Sequence, residues 1–179
     1  MTERGRHSVA SVVLVGVLAA CGPTADRPAG TTDPPRPIVR LGLERTPCFG
    51  FCPEYQLTAA ADGEIVFRGL HRWQGVERRW RVPADSVATL GAELAQLGFF
   101  ALRDIVPDTP GCGDVATDHP SIVLSASDGA RDHAVRYYTG CRGTDSVPSR
   151  LTRLAGRIDT LTGTAGLVDS LRSARPSVP

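Results

Sequence analysis

Cys48-Phe49-Gly50-Phe51-Cys52-Pro53-Glu54-Tyr55 packs two cysteines, two phenylalanines, a glycine, a proline and a tyrosine into one short window, and its reading decides how the flanking chain folds. Two cysteines this close bridge if the chain between them turns back. Gly50, at the centre of that turn, can take a backbone angle closed to other residues. Pro53 fixes the exit and pushes Cys52 toward an extended conformation. Glu54 to Ala60 then reads as a strand. The window is therefore expected to form a disulfide-locked knuckle feeding a strand, with Phe49 or Phe51 plugging the nearby core. A redox or metal site is the rival reading. Thioredoxin-like chemistry places two residues between its cysteines, and here there are three. A tetrahedral zinc site needs four ligands, and no second closely spaced pair is present.

The chain on either side continues the strand reading. Val39, Leu41 and Leu43 alternate with Arg40, Gly42 and Glu44, the mark of a half-buried strand. Tyr55, Leu57 and Ala59 alternate likewise, Asp62-Gly63 signals a hairpin turn, and Ile65 and Phe67 continue on the return strand. Leu70 to Gly75 reads as a loop. Val76 to Val82 reads as a strand with Trp80 and Val82 inward and Glu77, Arg79 and Arg81 toward water. Arg78, Arg79 and Arg81 resemble a phosphate patch, but the solvated face of an amphipathic strand explains them better. Val87, Leu90, Leu94 and Leu97 fall three and four apart, an apolar helix stripe started near Pro83 and Asp85 and stopped at Gly98.

The second half echoes the first. Asp104 to Pro120 is a long polar loop. Ile122, Leu124 and Ala126 form a strand, Asp128-Gly129 turns, and His133, Val135 and Tyr137 return. Leu151, Leu154, Ile158 and Leu161 repeat the earlier helix spacing, and Thr164 to Ala174 reads as a short last helix. The expected fold is α+β: an antiparallel, twisted sheet with two amphipathic helices on one face. Each half reads strand, Asp-Gly, strand, Val-Pro, helix, which raises a duplicated hairpin-plus-helix unit.

Arg45-Thr46-Pro47-Cys48-Phe49-Gly50-Phe51-Cys52-Pro53-Glu54-Tyr55, followed by Asp62-Gly63, resembles a bacterial domain-of-unknown-function family, number 6438, with a Cys-Phe-Gly-x-Cys-Pro-x-Tyr signature. The resemblance covers residues 38–161. It implies an α+β domain of a secreted protein or lipoprotein, and it implies no catalytic residues.

The N-terminus is a targeting segment. Arg4 and Arg6 open it, and Val9 to Ala20 is an apolar run too short for a membrane span and suited to a signal-peptide core. It ends Leu18-Ala19-Ala20-Cys21-Gly22, which resembles the bacterial lipobox, so residues 1–20 are expected to be removed and Cys21 to be acylated. Two or three acyl chains anchor stably where one is marginal. Gly22 to Pro37 holds five prolines and two glycines without hydrophobic periodicity and reads as a semi-extended tether. The folded domain is expected over 38–175, with a disordered tail at 176–179.

Five cysteines look odd for an exported protein, but lipidation of Cys21 leaves Cys48, Cys52, Cys112 and Cys141. Of three possible pairings, Cys48 with Cys52 and Cys112 with Cys141 is preferred: the first is local, and the second pins the long loop to a strand end. Asp114, Asp118 and His119 in that loop invite a metal or acid/base reading, and His119, His133 and the tyrosines a copper or zinc one. Turn chemistry accounts for the aspartates, and the spacing is not diagnostic.

Charge is balanced. The chain carries a net +1, and removing the first twenty residues leaves 18 basic against 18 acidic side chains, which argues against a nucleic-acid partner. Every basic residue of the charged pair is arginine. No Ser-His-Asp set or phosphate-binding glycine loop is recognisable. The expectation is a non-enzymatic, cofactor-free domain on a lipoprotein held in the bilayer through Cys21, at the outer membrane and facing the periplasm because Gly22 is not aspartate. Two alternatives stand beside it: an envelope binding module for a protein or polymer partner, and a thiol-disulfide oxidoreductase using Cys48 and Cys52.

Overall fold

Alternation along the first strand decides the layering. Leu41 and Leu43 of β1 (Arg40–Arg45) point into the core, while Arg40 and Gly42 face the other side of the sheet. The structure is a computed structural model, and it describes residues 36–144 and 146–174. The expected signal peptide, Cys21, nearly all of the expected tether and the expected tail at 176–179 lie outside the described residues.

β2 (Tyr55–Ala60) and β3 (Glu64–Gly69) form a hairpin on Asp62-Gly63, where Gly63 has a φ of 87° and Asp62 Oδ1 accepts the Glu64 N–H at 3.1 Å. A Cβ on Gly63 would stand 2.1 Å from the Val82 carbonyl oxygen, so space as well as φ demands glycine. β4 (Glu77–Arg81) follows as an edge strand. Between β3 and β4 the chain is not a plain loop: His71–Trp73 makes a 3-10 turn that buries Trp73. β5 (Ser121–Ser127) and β6 (Asp132–Tyr138) form the second hairpin on Asp128-Gly129.

The strands make one six-stranded antiparallel sheet in the order β4-β3-β2-β1-β5-β6. Leu43 stands opposite Leu57 on one side and Leu124 on the other, and these continue to Phe67 and Val135. Residues opposite one another in a ladder share a face, so this row is apolar from β3 across to β6 and ends at the exposed Arg78 on the edge strand β4.

This register decides the question of duplication. β2 and β5 both run antiparallel to β1, hence parallel to each other, and both turn apolar residues to the same face. β3 lies on one flank and β6 on the opposite flank. Laying one hairpin on the other therefore needs a half-turn about the strand axis, which exchanges core face for solvent face. The repeated hairpin-plus-helix unit that the sequence raises is not what the sheet builds. One turn chemistry and one helix stripe are used twice.

Three helices cover the apolar face, one of them the short C-terminal helix expected from the sequence. α1 (Ala84–Gln96) buries Val87, Leu90 and Leu94, and ends at Gly98 with φ 68°. It lies over the start of β1: a Cβ on Gly91 would come within 3.0 Å of the Ile38 Cβ. α2 (Val147–Leu161) buries Leu151, Leu154, Ala155 and Ile158, and its Asp159 bonds to Arg45 at the end of β1. α1 and α2 run antiparallel, joined by Arg150 to the Gln96 carbonyl at 3.3 Å and Arg157 to Glu93 at 2.7 Å. α3 (Thr164–Ser173) adds Val168 to the core. Tyr55, Phe67, Phe99 and Leu90 are essentially sealed from water, each such side chain contributing about 1.5–3 kcal/mol.

Asp104 to Pro120 is more structured than a polar loop. Ile105 is buried and pairs with the outer edge of β6: its N–H donates to Arg136 O at 2.8 Å, and the Tyr138 N–H donates to Ile105 O at 2.8 Å. The Arg136 N–H donates to Asp104 Oδ1 at 2.8 Å. An open edge is thereby covered. Val115 bridges to Cys141, and Cys112 and Cys141 are joined by a disulfide with Cα atoms 4.6 Å apart. Ile105 and Val106, followed at once by Pro107 and Asp108, carry no alternation, so the sequence does not announce this strand-like pairing.

Candidate functional site

The knuckle closes as expected. Cys48 and Cys52 form a disulfide across 5.8 Å between Cα atoms, and Gly50 sits at φ 132°. Its surroundings hold it on three sides. Thr46 donates its N–H to Ser121 O at 3.1 Å, and the Ser121 N–H donates to Thr46 Oγ1 at 2.7 Å. The Phe49 N–H donates to Asp118 O at 3.2 Å. Arg72 donates from Nη2 to Gly50 O at 3.0 Å, and its guanidinium stands 4.4 Å from the centre of the Phe51 ring. Both clamping loops place a non-glycine residue beside the knuckle at positive φ, His71 at 43° and Asp118 at 68°. Such positions are unfavourable by about 1–3 kcal/mol each and persist where surrounding structure imposes them.

One expectation is overturned here. Neither phenylalanine plugs the core: Phe49 is 89% and Phe51 80% exposed. The space beneath the knuckle is already filled by Tyr55, which is 1% exposed and stacks on Phe67 with ring centres 5.2 Å apart. The short disulfide ring cannot fold two further aromatic rings back over it. The result is a clamped turn that displays two aromatic side chains to solvent. Exposed aromatic residues on a rigid support are the usual anchors of binding surfaces.

Below the knuckle lies a polar network that no motif in the sequence announces. Arg45 is the inward residue after Leu41 and Leu43. Its Nη2 meets Asp159 Oδ2 at 2.6 Å and its Nε meets Tyr55 Oη at 2.9 Å, while the Tyr55 hydroxyl donates to Asp159 Oδ1. Burial, reinforced by the Asp159 charge, pushes the Tyr55 phenol far above its ordinary value, although Arg45 pulls the other way. Burial draws the Arg45 guanidinium down, but Tyr55 and Asp159 outweigh it, and the net shift is upward. The network therefore holds Arg45 as a cation beside a neutral Tyr55 phenol, and through Asp159 it ties α2 to the strand ends that carry the knuckle. Alternation along β1 places Arg45 inward and is the signal that could have found it; its partner lies far away in the sequence. Glu54 is buried as well, with Oε2 lacking a hydrogen-bond partner and His71 Nε2 3.9 Å away.

The other sequence candidates do not assemble into a site. Asp114 accepts the Arg142 N–H through its backbone carbonyl at 2.7 Å, and Asp118 holds Phe49 the same way, so both serve as turn residues. His119 is exposed and edges against the Tyr138 ring. His133 is half-buried on β6 with Nε2 2.9 Å from Leu102 O. Among the described residues, no three His, Cys, Asp or Glu side chains converge on a point that would hold a metal ion. On β4, Arg79 pairs with Glu77 at 3.0 Å and Arg81 with Asp62 at 3.0 Å, consistent with a solvated strand face.

A family profile described as a domain of unknown function, DUF6438, matches residues 39–162. The chain belongs to the DUF6438 family. No curated protein matches it. The matched span agrees closely with the 38–161 read from the cysteine motif. Within the DUF6438 domain fall the knuckle, both disulfides and the Arg45–Tyr55–Asp159 network; α3 lies outside it.

Proposed function

We propose that this DUF6438 protein is an exported, lipid-anchored binding module without catalytic activity of its own, held at the outer membrane through acylated Cys21 and facing the periplasm. The observation that carries the binding role is the exposure of Phe49 on a disulfide-closed turn clamped by Thr46, Asp118 and Arg72. Pre-organisation of this kind lowers the entropy lost on binding. Two disulfides in one small domain support an oxidising compartment. The Leu18-Ala19-Ala20-Cys21 stretch supports lipidation.

The two roles sit at opposite ends of one strand. The chain enters the domain at Ile38, just before β1 begins, and the knuckle follows where β1 ends. Six residues of strand separate these points by about 20 Å. The aromatic tip and the point where the chain enters the domain thus lie at different ends of β1, which leaves the tip free of the tether's attachment point. A convex, protruding ring fits a concave apolar pocket, so a protein partner is favoured over a polymer.

Two measurements test the reading. Cys21→Ser is expected to abolish labelling by a palmitate analogue and to release the protein into the soluble fraction. Continued labelling and sedimentation with membranes would refute the anchor. A photo-crosslinking residue in place of Phe49 is expected to give a discrete adduct in intact envelopes that the same residue at Arg78 does not. Equal, diffuse crosslinking from both positions would refute the knuckle as the contact.

A further inference from the structure

We propose that the cleft between α1 and α2 is a binding site for a compact phosphate-bearing anion. The inference does not depend on the knuckle or on lipidation. Arg150, Arg153 and Arg157 lie three and four apart on α2 and so share one stripe of the helix surface. Together with Glu93 and Gln96 of α1, Leu97 just after it, and Leu154, they line a concavity of about 300 Å³.

Like charges at these spacings repel, and a helix ordinarily relieves them with acidic residues one turn away. α2 does not. Its single acidic residue is Asp159, and that carboxylate is turned inward to Arg45 and Tyr55. The cleft therefore holds three guanidinium groups against one carboxylate, Glu93.

The existing partners leave most of the donors unused. Glu93 occupies only Nε of Arg157, at 2.7 and 3.0 Å, which leaves both terminal amino groups. Arg150 places Nη2 on the Gln96 carbonyl at 3.3 Å, capping the end of α1, and keeps its other N–H groups. Arg153 has no acceptor among the described residues and is exposed at the mouth of the cleft. The apolar floor, Leu97 and Leu154, is nearly sealed from water and keeps the local dielectric low.

Guanidinium forks match the oxygens of phosphate in pairs, and three forks around one concavity favour an ion with several oxygens and at least two charges over a monovalent one. The contrast with β4 is instructive. There Arg79 and Arg81 have carboxylate partners in place. A phospholipid headgroup and a soluble or polymer-borne phosphate share the chemistry that the cleft recognises, and the test separates them.

The experiment adds nanodiscs of zwitterionic lipid to the full-length protein and follows the arginine Nε signals by NMR during titration with pyrophosphate. Saturable shifts at Arg150, Arg153 and Arg157 are expected. Arg153→Gln should weaken binding about tenfold, the loss of one charge-assisted pair. Glu93→Gln should tighten it several-fold, and Arg78→Gln should leave it unchanged. Among the described residues Arg153 touches no acceptor, so the variant is expected to keep its melting temperature, which is checked alongside. Replacing part of the lipid by phosphatidylglycerol identifies the source: Arg153 shifts that pyrophosphate reverses assign a headgroup, and shifts with pyrophosphate alone assign a soluble or polymer-borne phosphate. Absence of saturation up to about 10 mM, or equal binding by Arg153→Gln, would overturn the site.

Discussion

The two disulfides of this domain do different things with the same bond. Cys112 and Cys141 are buried, join the long 104–120 segment to the end of β6, and sit beside the pairing of Ile105 with that strand. Cys48 and Cys52 are half-exposed and join nothing distant; they close a turn. The first bridge fastens a segment that has too few apolar residues to hold itself on the sheet. The second shapes a surface, since its ring displays Phe49 and Phe51 while Tyr55 fills the core beneath. A disulfide contributes by restricting the unfolded chain in proportion to the logarithm of the loop it closes. The long-range bridge should therefore dominate stability, and the local one should dominate the shape of the candidate contact.

Removing the long-range bridge is the strongest way to break this comparison. Cys112→Ala with Cys141→Ala is expected to lower stability by roughly 3–4 kcal/mol, from closure of its 29-residue separation. Hydrogen exchange at the Ile105 and Tyr138 amides should rise with it. A loss no larger than that of the local bridge would show that the 104–120 segment is held by packing alone.

Cys48→Ala with Cys52→Ala should remove about 2 kcal/mol, because the loop is short, and should leave envelope localisation intact. Photo-crosslinking from the knuckle should fall away in the same variant. A glutathione titration read by mass spectrometry is expected to place the bond below roughly −300 mV, in the structural range. A midpoint in the oxidoreductase range, with mixed disulfides trapped in Cys52→Ala, would turn the bridge from scaffold into reagent.

At the opposite end of the sheet a turn is locked by charge instead of sulfur. Asp128 accepts the N–H groups of Ala130 and Arg131 and pairs with the Arg131 guanidinium at 2.6 Å. The Arg131 side chain, ahead of those backbone donors, lowers the Asp128 carboxyl to about 2. A depressed carboxyl contributes stability that is present above its unfolded value, near 4, and lost as pH falls through the folded one. Acid unfolding should therefore have a component between pH 4 and 2 that Asp128→Asn removes, while stability differences between the disulfide variants stay constant over that window.

The smallest effect should come from the most conspicuous side chain. Phe49→Ala is expected to change stability by less than about 0.5 kcal/mol, because the ring is exposed. Loss of a kilocalorie or more would mean that Phe49 packs against the protein, and the contrast between a structural and a displaying disulfide would fail.

Much of this molecule was determined by the sequence alone. Alternation at Leu41 and Leu43, the two Asp-Gly turns, and the three-four spacing of Val87 to Leu94 and Leu151 to Ile158 dictate strands, hairpins and helices, because each rests on contacts between residues close in the chain. The Cys48–Cys52 pairing followed from the same local logic, and once it was made the two remaining cysteines were left for each other. Only the tertiary structure decided the rest. Which rings go inside was settled in three dimensions: Tyr55 and Phe67 stack in the core while Phe49 and Phe51 stay exposed. Whether the halves repeat depended on the flank of β1 that each hairpin took. That Arg45 meets Asp159, that Ile105 covers β6, and that three arginines of α2 face the end of α1 depended on elements brought together from far apart in sequence. Periodicity reports which side of an element is buried. It carries no information about what stands opposite, because that is settled by how whole elements pack.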